Sequence, residues 1–235
     1  MARNVNITRL EIIQTATRLF LEQGFSKTTA AVLCREVGIS TGNLTFYFPT
    51  KEHVLEVMVE MLCEFQWALM SEYANEGKSS LLAYCLELAT MAAASEENEQ
   101  MKDFYLSTYS HPMTLERIRE NDLQKTKQVF GQYCTNWTEE QFIEAETLVS
   151  GIEYATFMTT THSASLDKRV EGALNTIMAL YGIDVELRKT KISKIMAIDY
   201  RSIARKLCDE FKAFAMQTTE NAIEEKIASI RKRKK

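Results

Sequence analysis

Proline appears twice and glycine eight times in 235 residues, which leaves little for long irregular loops or a turn-rich β fold and favours helices. Histidine is equally scarce. His53, His111 and His162 lie far apart in the chain, and neither an HExxH helix nor a glycine-rich phosphate loop accompanies them. Glu139, Glu140, Glu144 and Glu146 have no histidine at ExxH spacing, so a di-metal carboxylate bundle is not supported. The five cysteines, Cys34, Cys63, Cys85, Cys134 and Cys208, are odd in number and scattered, with no CxxC pair. They read as reduced thiols of a cytoplasmic protein. No apolar run reaches the length of a membrane span, and the N-terminus lacks a signal-peptide core. These absences speak against an enzyme, and no catalytic residue, cofactor, metal or membrane partner is expected.

The charge is uneven. Residues 1–52 carry six basic and four acidic side chains, for +2, and residues 226–235 carry six basic and none acidic, for +6. The 16 basic and 28 acidic residues between them give −12, and the whole chain stands at −4. A mildly basic head on an acidic body suits docking to a polyanion in one orientation. The terminal run Ile230-Arg231-Lys232-Arg233-Lys234-Lys235 reads either as a solvated helix end or as an added contact to DNA or another polyanion.

The most informative stretch is TTAAVLCREVGISTGNLTFYFPTKEHVL, residues 28–55. Leu33 and Val37 are four apart and share a helix face, and Cys34 is small enough beside them for a second helix to approach. Gly38 stands where a tight interhelical turn needs a left-handed residue. Ser40 is placed to cap the next helix, about Thr41 to Phe48, and Pro49 stops it. That helix is short and uncharged. Its exposed side carries Thr41, Gly42, Asn43 and Thr45, with Phe46 at the margin, and small polar groups suit close approach to base edges. Thr50 can cap the following helix. Lys51 falls in its first turn, where the helix dipole disfavours a cation and a phosphate contact would account for it. An ordinary helical hairpin explains less of this combination.

Residues 8–55 resemble the N-terminal DNA-binding domain of the TetR family of regulators. The likeness rests on Gly24-Phe25, Thr28-Thr29, Val37-Gly38-Ile39-Ser40, Gly42-Asn43-Leu44 and Tyr47-Phe48-Pro49-x-Lys51-Glu52. It covers about a fifth of the chain. It implies that Thr29, Thr41, Gly42, Asn43, Thr45, Tyr47 and Lys51 face DNA, with Thr29, Tyr47 and Lys51 mainly on phosphates and Thr41 and Asn43 near bases. Thr45 departs from the tyrosine frequent there, and Ala30 and Ala31 leave the start of the preceding helix without polar side chains.

The expected architecture is all-α. A helix-turn-helix head over residues 1–50 leads through a long helix from Lys51 to about Ala74 into a helical effector-binding and dimerisation body, residues 51–225, followed by a basic tail, 226–235. Thr8 and Glu11 form a capping box for the first helix, and Thr138 and Gln141 form another. Ser79 or Ser80 and Thr114 are further candidate caps. The helices near 139–162 and 166–181 are rich in small and aliphatic residues and suit either a four-helix dimer interface or the monomer core. Trp67, Tyr84, Met91, Phe104, Tyr105, Tyr109, His111, Tyr154, Met158 and His162 are candidates to line a pocket for a small, largely apolar effector, against plain core packing residue by residue. The resemblance raises the pocket reading. Together these readings describe a dimeric repressor released by a ligand from a two-fold related site on double-stranded DNA. A regulator without an effector and a helical protein-interaction adaptor are the alternatives.

Overall fold

The computed structural model describes residues 8–76 and 80–233. Ser79, an expected candidate cap, lies outside them, as do residues 1–7, 77–78 and Lys234-Lys235. Among the described residues the secondary structure is twelve α-helices and no strand.

The head is built from α1 (Arg9–Gln23), α2 (Ala30–Val37) and α3 (Thr41–Tyr47). Thr8 accepts the Glu11 amide while the Glu11 carboxylate accepts the Thr8 amide, so the capping box forms as spaced. Ile13, Ala16 and Phe20 of α1 meet Leu33 of α2 and Leu44 of α3 in a core where none is more than 2% exposed. Gly38 ends α2 with φ 82°, and Ser40 then caps α3 by accepting the Asn43 amide. Gly24 ends α1 with φ 93° and ψ 146°, a region almost closed to side chains.

Helix α4 (Lys51–Ala74) runs unbroken from head to body. Val54, Leu55 and Met58 are buried at its head end, and Leu62, Gln66 and Met70 further along. Thr50 starts it but does not cap it through the side chain; its hydroxyl meets His53 Nδ1 at 3.0 Å instead. Helix α5 (Leu81–Glu97), capped by Ser80, is buried at every position from Leu81 to Ser95 and packs on α4, α6, α7, α8, α9, α10 and α11. A helix apolar on all sides belongs at the centre of a bundle.

Around it stand α6 (Glu99–Ser110), α7 (Pro112–Phe130), α8 (Glu139–Phe157), α9 (Leu166–Leu180), α10 (Val185–Ala197) and α11 (Tyr200–Gln217). The second capping box, Thr138 with Gln141, forms at the start of α8. Thr114 is not the cap of α7. Pro112 occupies the first turn, which opens at His111, and the Thr114 hydroxyl donates to the Thr108 and His111 carbonyls.

The last helix, α12 (Glu220–Arg233), folds back across the head. Ile223, Ile227 and Ile230 are buried, Arg9 pairs with Glu224 at 2.7 Å, and Arg233 reaches Glu60 of α4 at 3.1 Å. The described part of the basic segment is therefore the end of a packed helix rather than a frayed one.

Two glycines test this geometry. Gly38→Ala meets open space and costs only the left-handed backbone, roughly 1–2 kcal/mol. Gly24→Ala places a Cβ 2.9 Å from Asp103 Oδ2 as well and costs more, about 1–3 kcal/mol for the backbone alone. Denaturant unfolding of the two variants checks the order, and adding Asp103→Ala is expected to relieve Gly24→Ala only in part.

Candidate DNA-reading surface and effector cavity

Helix α3 is anchored by one buried side chain, Leu44, and presents the rest outward. Thr41, Gly42, Asn43 and Thr45 are all exposed, and the Thr45 hydroxyl is taken up by the Thr41 carbonyl at 2.9 Å. Ser40 holds the Asn43 main-chain amide, which leaves the Asn43 side-chain amide projecting from a fixed backbone. Tyr47 is half-buried, with the Arg9 guanidinium 5.5 Å from its ring centre. Thr29 is exposed and caps α2, accepting the Val32 amide at 3.2 Å. Five of the seven expected contact residues, Thr29, Thr41, Gly42, Asn43 and Thr45, are thus exposed, and Tyr47 is half-buried. Phe46, outside that set, is 79% exposed, far more than a large apolar side chain needs to be for folding. Its position between two outward residues was the available signal.

Lys51 is placed differently. Its Nζ donates to the Phe25 carbonyl at 2.9 Å and the Thr28 carbonyl at 3.2 Å, and sits 3.9 Å from the centre of the Phe25 ring. Partial burial lowers its pKa, opposed by Glu52 and Asp103. The α1–α2 turn therefore explains a cation in the first turn of α4 without any phosphate. The same turn is held from the other side by Asp103 of α6, which accepts the Ser26 amide at 2.9 Å and also the Ser26 hydroxyl. One loop of the head is clasped by the first turn of α4 and by a body helix.

The ten expected effector residues do not form one pocket. Tyr84, Met91, Tyr105 and Tyr109 line a cavity enclosed by α4, α5, α6, α7 and α8. Trp67 lines a separate open groove of about 880 Å³ between α4, α7 and the α11–α12 corner. Phe104 is fully buried against Tyr105 as core. His111 caps nothing with its side chain, Tyr154 is half-buried, and Met158 and His162 are exposed beyond α8. Residues spaced along helices as these are can be gathered only by the helix crossings, which spacing does not encode.

The cavity measures about 30 Å³, room for a water-sized group. Its lining is charged. Lys125 donates to Glu87 Oε2 at 2.9 Å and Asp122 Oδ1 at 2.7 Å, and Tyr109 donates to Glu153 Oε2 at 2.8 Å. Burial lowers the Lys125 pKa, but Asp122 and Glu87 outweigh it and hold the ammonium charged. Burial, with Asp122 adding to it, pushes the Glu153 carboxyl up to about 8. Near it Glu146 is also raised, by burial and then by Asp122 and Glu153, and neither of its oxygens has a hydrogen-bond partner. No group of three or more His, Cys, Asp or Glu among the described residues is arranged to hold a metal. No helix among them is long and apolar enough to cross a membrane.

Two consequences are measurable. Lys51→Ala opens two carbonyl bonds and is expected to lower unfolding free energy by about 1–3 kcal/mol, seen in denaturant titration. Glu153 binds its proton more tightly folded than unfolded, so its contribution falls as pH rises from about 4.5 towards about 8. Glu153→Gln should flatten that decline in a melting-temperature profile and stabilise the chain most at the alkaline end.

Comparison with known proteins agrees with this geometry. Residues 12–58 match the family of bacterial regulatory proteins described as the tetR family. An uncharacterised HTH-type transcriptional regulator of Bacillus subtilis, YuxN, is 29% identical over 119 residues, covering 48% of this chain and 41% of the relative. The nucleoid occlusion factor SlmA of Vibrio cholerae is 30% identical over 122 residues, covering 51% of this chain and 62% of the relative. The chain thus spans about two-fifths to three-fifths of the length of these relatives. Among solved structures, RolR in complex with resorcinol superposes with a TM-score of 0.61 at 18% identity, covering 79% of this chain and 92% of RolR. Thermus thermophilus FadR in complex with lauroyl-CoA gives 0.54 at 19% identity, covering 72% and 93%. At these identities the likeness shows the shared fold.

Proposed function

We propose, for a chain that belongs to the TetR family of transcriptional regulators, that it acts as a dimeric repressor released from its operator by a small molecule. The observation that carries the DNA-reading part is α3: a capped, uncharged helix whose Thr41, Asn43 and Thr45 are exposed while Leu44 alone anchors it. In the major groove such a helix places Asn43 and Thr41 at base edges, with Thr29 and Tyr47 towards phosphates. Lys51 contributes mainly by holding the turn that carries Thr29, and its remaining ammonium proton is the one available to a phosphate.

A head of this size covers few base pairs, so two copies on a two-fold site are needed for specificity. The outer faces of α8 and α9 suit that pairing. Ile143 and Leu148 are about half exposed, and nothing lies within 4 Å of where a Cβ would stand at Gly151 or Gly172, so a second copy can come close. On this reading the DNA-binding head ends near residue 50, and residues 51–225 bind the effector and the second copy.

Coupling of ligand to DNA follows α6 and α4. Tyr105 and Tyr109 of α6 line the cavity, and Asp103 of the same helix holds the α1–α2 turn. A ligand that favours a wider cavity shifts α6 and, with it, the head. It does so only in proportion to its preference for that state.

The test is selection of binding sites from random DNA duplexes at near-physiological salt. An enriched inverted repeat is expected, and Asn43→Ala should change the preferred bases at one position of each half-site, a difference of about 1–3 kcal/mol. No enrichment by folded protein would favour a protein-interaction adaptor.

A further inference from the structure

The cavity under α4 carries more charge than an apolar effector requires. Glu87, Asp122 and Glu153 line it, and Lys125 is the single cation among its lining residues. Lys125 is shared by Glu87 and Asp122, at 2.9 and 2.7 Å. Glu153 has the Tyr109 hydroxyl and no basic partner. The Tyr84 hydroxyl, on a side chain 5% exposed that lines the same space, has no hydrogen-bond partner. Buried polar groups in folded proteins are rarely left so, and an unpartnered hydroxyl facing a carboxylate-lined cavity is a place prepared for a group that arrives. Tyrosine faces combined with a carboxylate are a recognition set for an organic cation.

Volume decides what part of such a molecule fits. About 30 Å³ admits a charged head and not the body of a ligand. The body has a neighbouring space. Cys63 and Lys125 line both the cavity and the open groove, so the two spaces adjoin there. On the groove side Trp67 lies with its ring 5.2 Å from Lys125 Nζ. Glu60, Glu64 and Glu225 line that groove with Lys125 and Lys226; Glu60 is paired with Arg233 and Glu64 with Lys226, which leaves Glu225 as the carboxylate in no ion pair among the described residues.

We propose that cavity and groove form one site for an amphiphilic organic cation, with a primary ammonium head at Glu153 and Tyr84 and an aromatic or aliphatic body along Trp67. Lys125 serves as the internal counter-charge of Glu87 and Asp122, which leaves Glu153, protonated at neutral pH on its own, as the group that gives up its proton when the cationic head arrives. This rests on the reading of the chain as a ligand-responsive regulator and names a charged head where that reading expected a largely apolar effector.

Isothermal titration of the full chain with benzylammonium, benzyl alcohol and benzoate tests it, since the three share a ring and differ in charge. Benzylammonium is expected to bind at least about 10-fold more tightly than the other two, and Glu153→Gln to weaken it about 10- to 100-fold, the range for a hydrogen bond to a charged group. Tyr84→Phe is expected to weaken it as well while leaving thermal stability equal or higher, because it deletes an unpaired hydroxyl. Absence of benzylammonium binding, equal binding of all three, or undiminished binding to Glu153→Gln would overturn the proposal. Should Glu153→Gln not fold, undiminished binding to Tyr84→Phe overturns it alone. A parallel operator-binding assay separates the two readings. Cation binding without effect on DNA keeps the site and removes the inducer role, whereas operator release by a neutral ligand, with no cation bound, removes the site alone.

Discussion

The burial of α4 is the constraint on which the rest depends. One helix supplies side chains to two cores: Val54, Leu55 and Met58 among the head helices, and Leu62, Gln66 and Met70 against the body. Its flank is fastened by charge as well, with Arg117 of α7, 1% exposed, placed 3.4 Å from Glu56. Breaking a buried pair by removing one member is far more costly than the pair's net worth, so this contact resists sliding of α4 on α7. A helix that is part of both cores cannot move in one without being felt in the other. Among the described residues α4 joins head to body without a break, and α4 and α6 both hold the α1–α2 loop.

That loop is held by a few bonds from outside it. Lys51 reaches two of its carbonyls and Asp103 one of its amides, while Gly24 supplies the backbone turn that lets the aspartate come within contact. The same helix, α6, lines the charged cavity with Tyr105 and Tyr109. Helix α12 adds a second brace, tying the start of α1 to the flank of α4 through Arg9, Ile227 and Arg233. The interior accepts an unusual load of carboxylates for this. Glu153 lines the cavity and Glu146 lies near Glu153; neither is in an ion pair among the described residues, and burial raises both, so keeping these carboxyls inside costs folding free energy.

Much of the head was legible along the chain because its determinants are local. The Thr8–Glu11 capping box, the left-handed Gly38, the Ser40 cap and the stop at Pro49 each involve residues within four positions of one another, where local geometry selects the conformation, and the Thr138–Gln141 box of α8 in the body is local in the same way. The extent of α4 followed from the Thr50 start and the break after Ala74. Errors began where two elements meet. Thr114 looked like a cap, yet Pro112 opens the helix and Thr114 instead ties α7 to the end of α6. Lys51 looked unexplained because its acceptors, the Phe25 and Thr28 carbonyls, belong to another helix connection.

The amino-acid order by itself determined an all-helical chain, its head, the exposed residues of α3 and the absence of familiar enzymatic motifs, since these follow from periodicity, turn chemistry and residue type. Only the tertiary structure decided which aromatic residues share a cavity, that carboxylates far apart in sequence, Glu87, Asp122 and Glu153, line it with them, and that the last helix returns to the head. The physical reason is distance. A helix repeat specifies which side chains share a face, but the partner of that face is chosen by packing among twelve helices, and the charge of a cavity is the sum over walls that no single stretch of chain contains.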